Sequence, residues 1–292
     1  MDHIELSDGR RLDIRVTGPE DGPVLVFHHG TPGSASGYRI VEEPAHERGL
    51  RMVWMSRPGY GDSSRRPGRS VVDVVSDTAE VLDALGVHTC LVGGGSSGGP
   101  HALACAARLD AAQAVLVVSS HAPFDAEGLD YLAGMGDANL AVYGAALDGE
   151  ETLREYLEAD RERLLGVSVE GFIEAWSSLL PEVDQAVLTD EFGEDVIADL
   201  QEALRTGVDG SVDDLLAFVK PWGFDLEEIT TPTIIWHSSE DLLNPFAHGQ
   251  WLASHVPEAS SNLLEGEGHL STWQAAPAML DELLASIHDR TR

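Results

Sequence analysis

The chain has 292 residues, of which 43% are hydrophobic, and this is enough for one large domain or for a core with an insertion. Its 50 acidic and 18 basic residues give a formal net charge of −32, which argues against nucleic acid and anionic membranes as partners. The amino terminus lacks a basic and apolar leader, and no uncharged apolar run approaches the roughly 18 residues that span a bilayer. We therefore expect a soluble, cytoplasmic protein, monomeric or homodimeric, that acts on a small molecule.

Short β-branched and apolar runs alternate with helical stretches, a pattern typical of an α/β protein with a mostly parallel, doubly wound sheet. Eight strands are predicted, at residues 4–6, 12–16, 24–28, 52–55, 90–92, 114–118, 233–236 and 262–264. Helices are predicted from residue 33 to about 48, over 71–85 and 100–107, through 251–255 and after 277. The helix over 71–85 stops at Gly86, a residue typical of helix ends.

Residues 125–225 follow a different pattern, with no convincing strand and with acidic helical segments at about 150–165, 170–180 and 195–205. Residues 125–228 hold 27 acidic and 5 basic residues, so the charge of the chain is concentrated here. We interpret the excess as a solvated surface; a field that favours cationic substrates is the alternative. The predicted organisation is an α/β core, residues 1–124 and 226–292, with a helical cap of residues 125–225.

The most informative motif is the run of small residues from Gly94 to Gly98, which lies between an apolar strand and a predicted helix. A serine between glycines on such a turn is the G-x-S-x-G nucleophile elbow, in which a tight, strained turn holds the hydroxyl clear of the backbone. The next amide and the helix N-terminus then lie beside any negative charge that develops. Two serines fit this motif, Ser96 and Ser97.

A serine nucleophile needs a base to take its proton and an acid to orient the base. Asp241 comes just after the strand at 233–236, and His269 lies in a glycine-flanked loop after the last strand. Both therefore follow strand ends, where a parallel sheet gathers its functional loops. Asp125, after the preceding strand, and Glu240 are alternative acids.

Taken together, the motifs resemble those of the α/β-hydrolase superfamily over nearly the whole chain, and most of all its capped bacterial esterase, lactonase and prolyl-aminopeptidase-like branch. The matching segments are residues 29–33 (HGTPG), 57–63 (RPGYGDS), the elbow with 98–100 (GGP), 241–245 (DLLNP) and 268–269 (GH). One departure is Ser56, where relatives often carry aspartate. The segment from Arg57 to Asp62 is interpreted as structural.

This resemblance implies a catalytic triad of Ser96, Asp241 and His269. Family members usually show serine, one residue and then two glycines, which places the nucleophile at Ser96 rather than Ser97. The resemblance also implies an oxyanion hole from the backbone amides of Thr31 and Ser97, and a cap that lies over the site as a lid. It implies no cofactor.

Several aromatic and imidazole side chains are candidates for the substrate pocket. His28, His121 and Trp273 are predicted to line it, with a structural role as the alternative for each. Trp176 and Met135 could touch an apolar acyl group, although core packing is commoner for such residues. His101 is expected in the core, no histidine spacing suggests a catalytic metal, and Cys90 and Cys105 are expected as buried thiols rather than a disulfide.

The leading functional hypothesis is hydrolysis of a carboxylic ester or lactone through an acyl-serine intermediate. An aminopeptidase or amidase with the same triad is the main alternative, since prolyl-aminopeptidase-like relatives hold a substrate's amino terminus with acidic cap residues. A lyase or perhydrolase that keeps the triad is a further possibility. A non-catalytic receptor that binds a small ligand under the lid is the competing class, because function is set by the site and not by the fold.

Overall fold

A computed structural model describes residues 1–288, and residues 289–292, the end of the predicted core, lie outside them. Eight strands form one sheet in the order β1-β2-β4-β3-β5-β6-β7-β8, in which β2 pairs antiparallel with both β1 and β4 and the other pairs are parallel. The strands are β1 Asp2–Glu5, β2 Arg11–Thr17, β3 Val24–His28, β4 Arg51–Met55, β5 Cys90–Gly95, β6 Ala112–Val118, β7 Thr233–Ser238 and β8 Ser260–Leu264. The predicted fold class and all eight predicted strands are confirmed.

The described helices cover both faces of the sheet and fill the segment between β6 and β7. They are α1 Arg39–Glu47, α2 Val74–Leu85, α3 Gly99–Arg108, α4 Asp137–Asp148, α5 Glu150–Leu164, α6 Val169–Ala175, α7 Glu182–Val187, α8 Asp190–Leu204, α9 Asp209–Phe218, α10 Phe246–His255 and α11 Ala276–His288. None of these helices is long and apolar enough to cross a membrane.

The central strands are buried on both faces, which explains why they are continuously apolar in sequence. In β3, Val24 and Val26 pack into one hydrophobic core, whereas Leu25 and Phe27 pack into the core on the opposite face. Since successive strand side chains alternate between faces, one five-residue strand contributes to both cores. The sheet is thus a rigid base, and the loops at its carboxyl edge carry the candidate site residues.

The helix boundaries depart from the predictions at places where packing between distant segments decides them. Helix α1 starts at Arg39 and not soon after Gly33, because residues 29–38 form an irregular loop beside the sheet edge. The predicted helix at 170–180 ends at Ala175, and the helix predicted from 195 begins at Asp190. Helices α4, α7 and α9 were not individually predicted, and α7 and α9 carry residues that matter for the site.

Candidate active site

The turn after β5 has the geometry expected of a nucleophile elbow. Ser96 directly follows the strand, has φ = +54°, and begins a short 3-10 turn, Ser96–Gly98, that leads into α3. Among the non-glycine residues that the structure describes, only Ser96, Ser119 and Glu258 have positive φ. A left-handed backbone costs a non-glycine residue of order 1–3 kcal/mol and is often found at functional sites. Of the two serines that fit the motif, the strained one is Ser96.

The glycines around the serine are required by close contacts rather than by flexibility. A Cβ on Gly98 would lie 2.0 Å from the backbone oxygen of His28, and a Cβ on Gly94 would lie 2.3 Å from the backbone oxygen of Gly98. The elbow therefore packs directly on the carboxyl end of β3. This contact brings the serine beside the loop that follows β3.

We predict that Gly98→Ala destabilises the protein by about 2–3 kcal/mol, since the added methyl group must displace backbone and cannot be accommodated by a side-chain rotation. The free energy of unfolding in urea measures this loss. Gly144→Ala is the matched control: a Cβ at Gly144, inside α4, meets nothing within 4 Å, so this change should be neutral or slightly stabilising. Equal stability of the two variants would contradict the prediction.

The imidazole of His269 is held by a buried carboxylate. His269 Nδ1 donates to Asp241 Oδ2 over 2.7 Å, and the backbone amides of Leu243 and Asn244 donate to Asp241 Oδ1 at 2.9 and 2.8 Å. Asp241 and His269 are 2% and 4% exposed, whereas the alternative acids Asp125 and Glu240 lie exposed on the surface. With Nδ1 donating, Nε2 of a neutral His269 is the free acceptor.

The electrostatic surroundings of His269 favour its protonated form. Burial alone would lower the pKa of His269, but the charge of Asp241, the hydrogen bond to it and a smaller contribution from Asp184 outweigh burial and raise the pKa above its ordinary value. The neighbouring His237, 3.8 Å from Asp241, is itself buried, and burial lowers its pKa. Such surroundings stabilise the imidazolium that forms when a base takes a proton.

Ser96 and His269 both line one cavity of about 100 Å³. Within the described residues no hydrogen bond joins Ser96 Oγ to His269 Nε2, and catalytic hydrogen bonds of unliganded sites often tighten only when substrate binds. The cavity walls are mostly apolar and aromatic: Phe27, Tyr38, Phe172, Trp176, Leu180, Phe192, Val196, Leu200, Leu243, Leu270 and Trp273. The serine and the imidazole therefore open onto a space suited to an apolar group.

A second, more polar cavity of about 240 Å³ is also lined by Ser96. It shares Thr31, Pro32, Ser96, Trp176 and Leu243 with the first cavity. Its further walls include polar side chains: Ser97, Asn139, Tyr143, Tyr156, Asp160, Arg163, Ser211 and Asn244. Since the two cavities meet at Ser96, the site offers separate spaces for the two sides of a bond cleaved there.

The loop after β3 approaches the serine closely enough to supply a hydrogen-bond donor. A Cβ on Gly30 would lie 3.4 Å from Ser96 Cβ and 3.7 Å from Ser96 Oγ. Thr31, the next residue, lines both cavities, and Ser97 lines the second. The amides predicted to form an oxyanion hole thus belong to residues that line cavities shared with Ser96.

Arg57, which we interpreted as structural, holds the loop after β3 in place by hydrogen bonds. Its guanidinium donates to the backbone oxygens of His29 and Gly30 and to Thr31 Oγ1, and its own backbone amide donates to His29 Nε2 over 3.0 Å. The same guanidinium pairs with Asp214 of α9 at 2.7 Å, and both side chains are buried. One ion pair thus ties the loop after β3 to the helical segment between β6 and β7.

Asp214 is the centre of a buried polar cluster. Besides Arg57, it binds Arg69 at 2.5 Å, the hydroxyl of Tyr60 at 2.8 Å and Thr31 Oγ1 at 2.7 Å. Burial would raise the pKa of this carboxyl, but the charges of Arg57 and Arg69 dominate and hold it well below its ordinary value. The residue is therefore ionised at neutral pH and compensates two buried arginines.

Of the three residues predicted to line the pocket, the structure places only Trp273 there. Trp273 lines the apolar cavity and packs on the elbow, where a Cβ on Gly95 would lie 2.5 Å from its ring. His28 is fully buried with Nε2 3.6 Å from Cys105 Sγ, and burial lowers its pKa to about 3. His28 lines neither cavity, because β3 ends with its side chain in the core, so this prediction is wrong.

His121, like His28, does not line the cavities. Its ring lies 4.6 Å from that of Phe218 and 5.9 Å from that of Tyr131, and burial lowers its pKa to about 3. It packs under the helical segment and lines neither cavity at Ser96, contrary to the expectation.

Of the remaining candidate residues, one lines the cavities and the others are buried in the core. Trp176 lines both cavities, whereas Met135 is buried in the hydrophobic core. His101 is a core residue that donates to the backbone oxygen of Ser97 over 2.9 Å. Cys90 and Cys105 are free, buried thiols, and burial raises the pKa of each to about 12.

Three buried aspartates of the helical segment bind core loops around the site, and sequence analysis missed all of them. Asp184 binds the His269 loop, Asp199 binds Ser34 and Tyr38, and Asp214 binds Arg57 and Thr31. In sequence they are lost among the acidic residues of the segment.

Within residues 1–288, no three His, Cys, Asp or Glu side chains are grouped so that they could hold a metal ion.

Comparison with known proteins gives the family. The model of the α/β-hydrolase fold family matches residues 23–276, most of the chain, and the chain therefore belongs to that family.

The curated relatives share limited identity with the chain. A 2-hydroxy-6-oxononadienedioate/2-hydroxy-6-oxononatrienedioate hydrolase from Cupriavidus pinatubonensis is 26% identical, over 92% of this chain and 87% of its own length. A bifunctional esterase/perhydrolase from Acinetobacter calcoaceticus is 32% identical, over 34% of this chain and 36% of its own length. For two of the curated relatives, the match covers only 42% and 36% of the relative's own length.

Among solved structures, the enol-lactonase from Burkholderia xenovorans superposes with a TM-score of 0.67 and 16% sequence identity. The superposition covers 98% of this chain and all of the lactonase chain. At this identity the likeness concerns the fold.

Proposed function

We propose that the protein is a serine hydrolase that cleaves a carboxylic ester or lactone of a small molecule through an acyl-serine intermediate. The observation that carries the proposal is one cavity lined both by Ser96, on its strained turn, and by His269, itself hydrogen-bonded to Asp241. The relationship to enzymes named as esterase and hydrolase supports it. The helical segment, residues 125–225, acts as the cap that closes over this cavity.

In the proposed reaction, Ser96 Oγ attacks the carbonyl carbon while His269 Nε2 takes the hydroxyl proton. Asp241 stabilises the imidazolium, and the amides of Thr31 and Ser97 donate hydrogen bonds to the oxyanion. The bond to the leaving alcohol breaks as His269 returns the proton to its oxygen. Water, deprotonated by His269, then attacks the acyl-serine and releases the carboxylic acid and free Ser96.

Ester cleavage fits the cavities better than removal of an amino-terminal residue. An aminopeptidase needs an acidic side chain free to bind the substrate's ammonium group. The carboxylates among the described walls are Asp199, which accepts from Ser34 and Tyr38, and Asp160, which pairs with Arg163. Since both already have partners, the apolar lining favours an uncharged acyl group.

A fluorophosphonate probe tests the proposal, because it phosphonylates a serine that is activated by a neighbouring base. We expect folded wild-type protein to be labelled stoichiometrically at Ser96, identified by peptide mass spectrometry, and to hydrolyse acyl nitrophenyl esters faster than a dipeptide anilide. Folded protein that takes up no label would contradict the serine mechanism. Faster cleavage of the anilide would instead favour aminopeptidase activity.

The pH dependence of kcat/KM follows from the raised pKa of His269. A base must be neutral to accept the serine proton, so activity should rise with pH as His269 deprotonates. We expect the midpoint of this acid limb above pH 6.5, the ordinary histidine pKa, since the carboxylate of Asp241 stabilises the protonated imidazole. Measurements at constant ionic strength, with folding checked by circular dichroism, would contradict the assignment if the midpoint lay at or below 6.5.

A further inference from the structure

The loop that carries His269 is bound from the opposite side by Asp184 of α7. Asp184 Oδ2 accepts from the backbone amide of His269 at 2.9 Å, and Asp184 Oδ1 accepts from the amides of Leu270 and Ser271 at 2.9 and 2.8 Å. Asp184 is fully buried. One carboxylate thus satisfies three consecutive amides at the start of the short 3-10 turn Ser271–Ala275.

The fit between this carboxylate and the loop leaves no free space. A Cβ on Gly268 would lie 2.5 Å from Asp184 Oδ1 and 2.6 Å from Asp184 Cγ. The residue before His269 therefore has to be glycine for Asp184 to bind the loop in this position. Asp184 lies 85 residues before His269 and belongs to the helical segment, not to the core. The backbone position of the histidine therefore depends on a residue of the cap.

The same carboxylate acts on the imidazole by its charge. Both oxygens of Asp184 accept hydrogen bonds from N–H groups, a donor set that fits the ionised form, although burial raises the pKa of this carboxyl. The other ionisable groups around His269 are Asp241 just after β7, His237 within β7, and Asp199 of α8, which lines the same cavity. Asp241 fixes one side of the imidazole, and Asp184 adds a second negative charge behind its backbone.

We propose that Asp184 is a positioning residue for His269: through the cap, it sets both where the imidazole stands and how readily it holds a proton. The proposal rests on the proposed function for its kinetic consequences only. It implies that the cap takes part in assembling the catalytic base, in addition to enclosing the substrate. A cap that moved away would leave three backbone amides of the His269 loop without the carboxylate that accepts from them.

Asp184→Asn separates charge from shape, since the amide keeps one oxygen acceptor and loses the charge. We expect kcat/KM at its plateau to fall by roughly 10-fold and the acid limb to move to lower pH, because the imidazolium loses a stabilising anion. Asp184→Ala should shift the limb similarly but lower the plateau further, toward about 100-fold, since it removes every acceptor. Rates are normalised to the fluorophosphonate-reactive fraction, so loss of folded protein does not count.

Asp195→Asn is the matched control. Asp195, on the neighbouring helix α8, also accepts a core backbone amide, that of Arg39 at 2.7 Å, and pairs with the Arg39 side chain, but it lines neither cavity. We expect the acid limb of this variant to match the wild type. A folded Asp184→Asn protein whose limb coincides with that of Asp195→Asn would overturn the proposal, even if its stability or plateau rate fell.

An NMR titration of the histidine side chains distinguishes failure of this proposal from failure of the proposed function. The chain has 12 histidines, and the His269 resonance is the one that disappears in His269→Gln. We expect Asp184→Asn to lower the pKa of His269 and Asp195→Asn to leave it unchanged. This readout needs no substrate, so it tests Asp184 even if the wild type neither hydrolyses esters nor reacts with the probe.

Discussion

Replacing Ser96 with alanine should lower kcat/KM for an ester substrate by about a thousandfold or more and abolish fluorophosphonate labelling. The reason is that Ser96 is the proposed nucleophile, and among the non-glycine residues described in the two cavities only Ser96 has a positive φ. His269→Ala should cause a loss of similar size, because without the base the hydroxyl keeps its proton. The measurement is initial-rate kinetics on purified, folded variants.

Ser97→Ala is the internal control, since Ser97 is the other serine that fits the elbow motif. Its proposed contribution is a backbone amide, which alanine retains, so this variant should keep its label and lose less than about tenfold in rate. If Ser97→Ala lost labelling while Ser96→Ala retained it, the assignment of the nucleophile would be wrong. If both variants were labelled like the wild type, the serine mechanism itself would be refuted.

The acid of the triad can be tested in the same assay. Asp241→Ala should lose most turnover, because His269 would then lack the partner at 2.7 Å that orients it. Asp125→Ala should behave like the wild type, since Asp125 is exposed on the loop after β6. The reverse result would move the acid to Asp125.

Asp214→Asn should destabilise the folded protein by about 3–5 kcal/mol, because it leaves Arg57 and Arg69 buried beside a neutral group. It should also lower the activity of the folded fraction, since Arg57 and Asp214 together hold the loop that carries Thr31, a proposed oxyanion donor. Urea unfolding measures the first effect, and kinetics normalised to the labelled fraction measure the second.

Asp62→Asn provides the comparison for Asp214→Asn. Asp62 pairs with Arg205 at 2.9 Å, but both side chains are almost half exposed, so we expect a loss of less than about 1 kcal/mol. Similar losses for the two variants would show that the buried cluster contributes no more than a surface pair.

The pH dependence gives a second check on Asp214. The pKa of this carboxyl is lowered on folding, so its stabilising effect is complete above the unfolded value of 3.8 and is lost only as pH falls through the much lower folded value. The stability gap between wild type and Asp214→Asn should therefore stay constant through neutral and mildly acidic pH. A gap that closed well above pH 4 would contradict an ionised Asp214.

The sequence by itself determined the features that are encoded locally. The central strands were predictable because each is a short, largely apolar run bounded by turn residues, and the elbow was predictable because Gly94 and Gly98 are needed wherever a backbone passes so close to another. The candidate roles of Ser96, Asp241 and His269 could likewise be assigned from their positions after strands. Those roles are still predictions, which the variants above will test.

Only the tertiary structure decided which side chains lie together across long stretches of sequence. His28 ends a strand and His121 follows one, as the candidate site residues do, yet both side chains are buried in the core, and no local pattern distinguishes the two outcomes. Asp184 and Asp214 look like surface acids of an acidic segment, although each is buried against a core loop. The physical reason is that charge and polarity are properties of a residue, whereas burial and partners depend on how segments far apart in the chain pack.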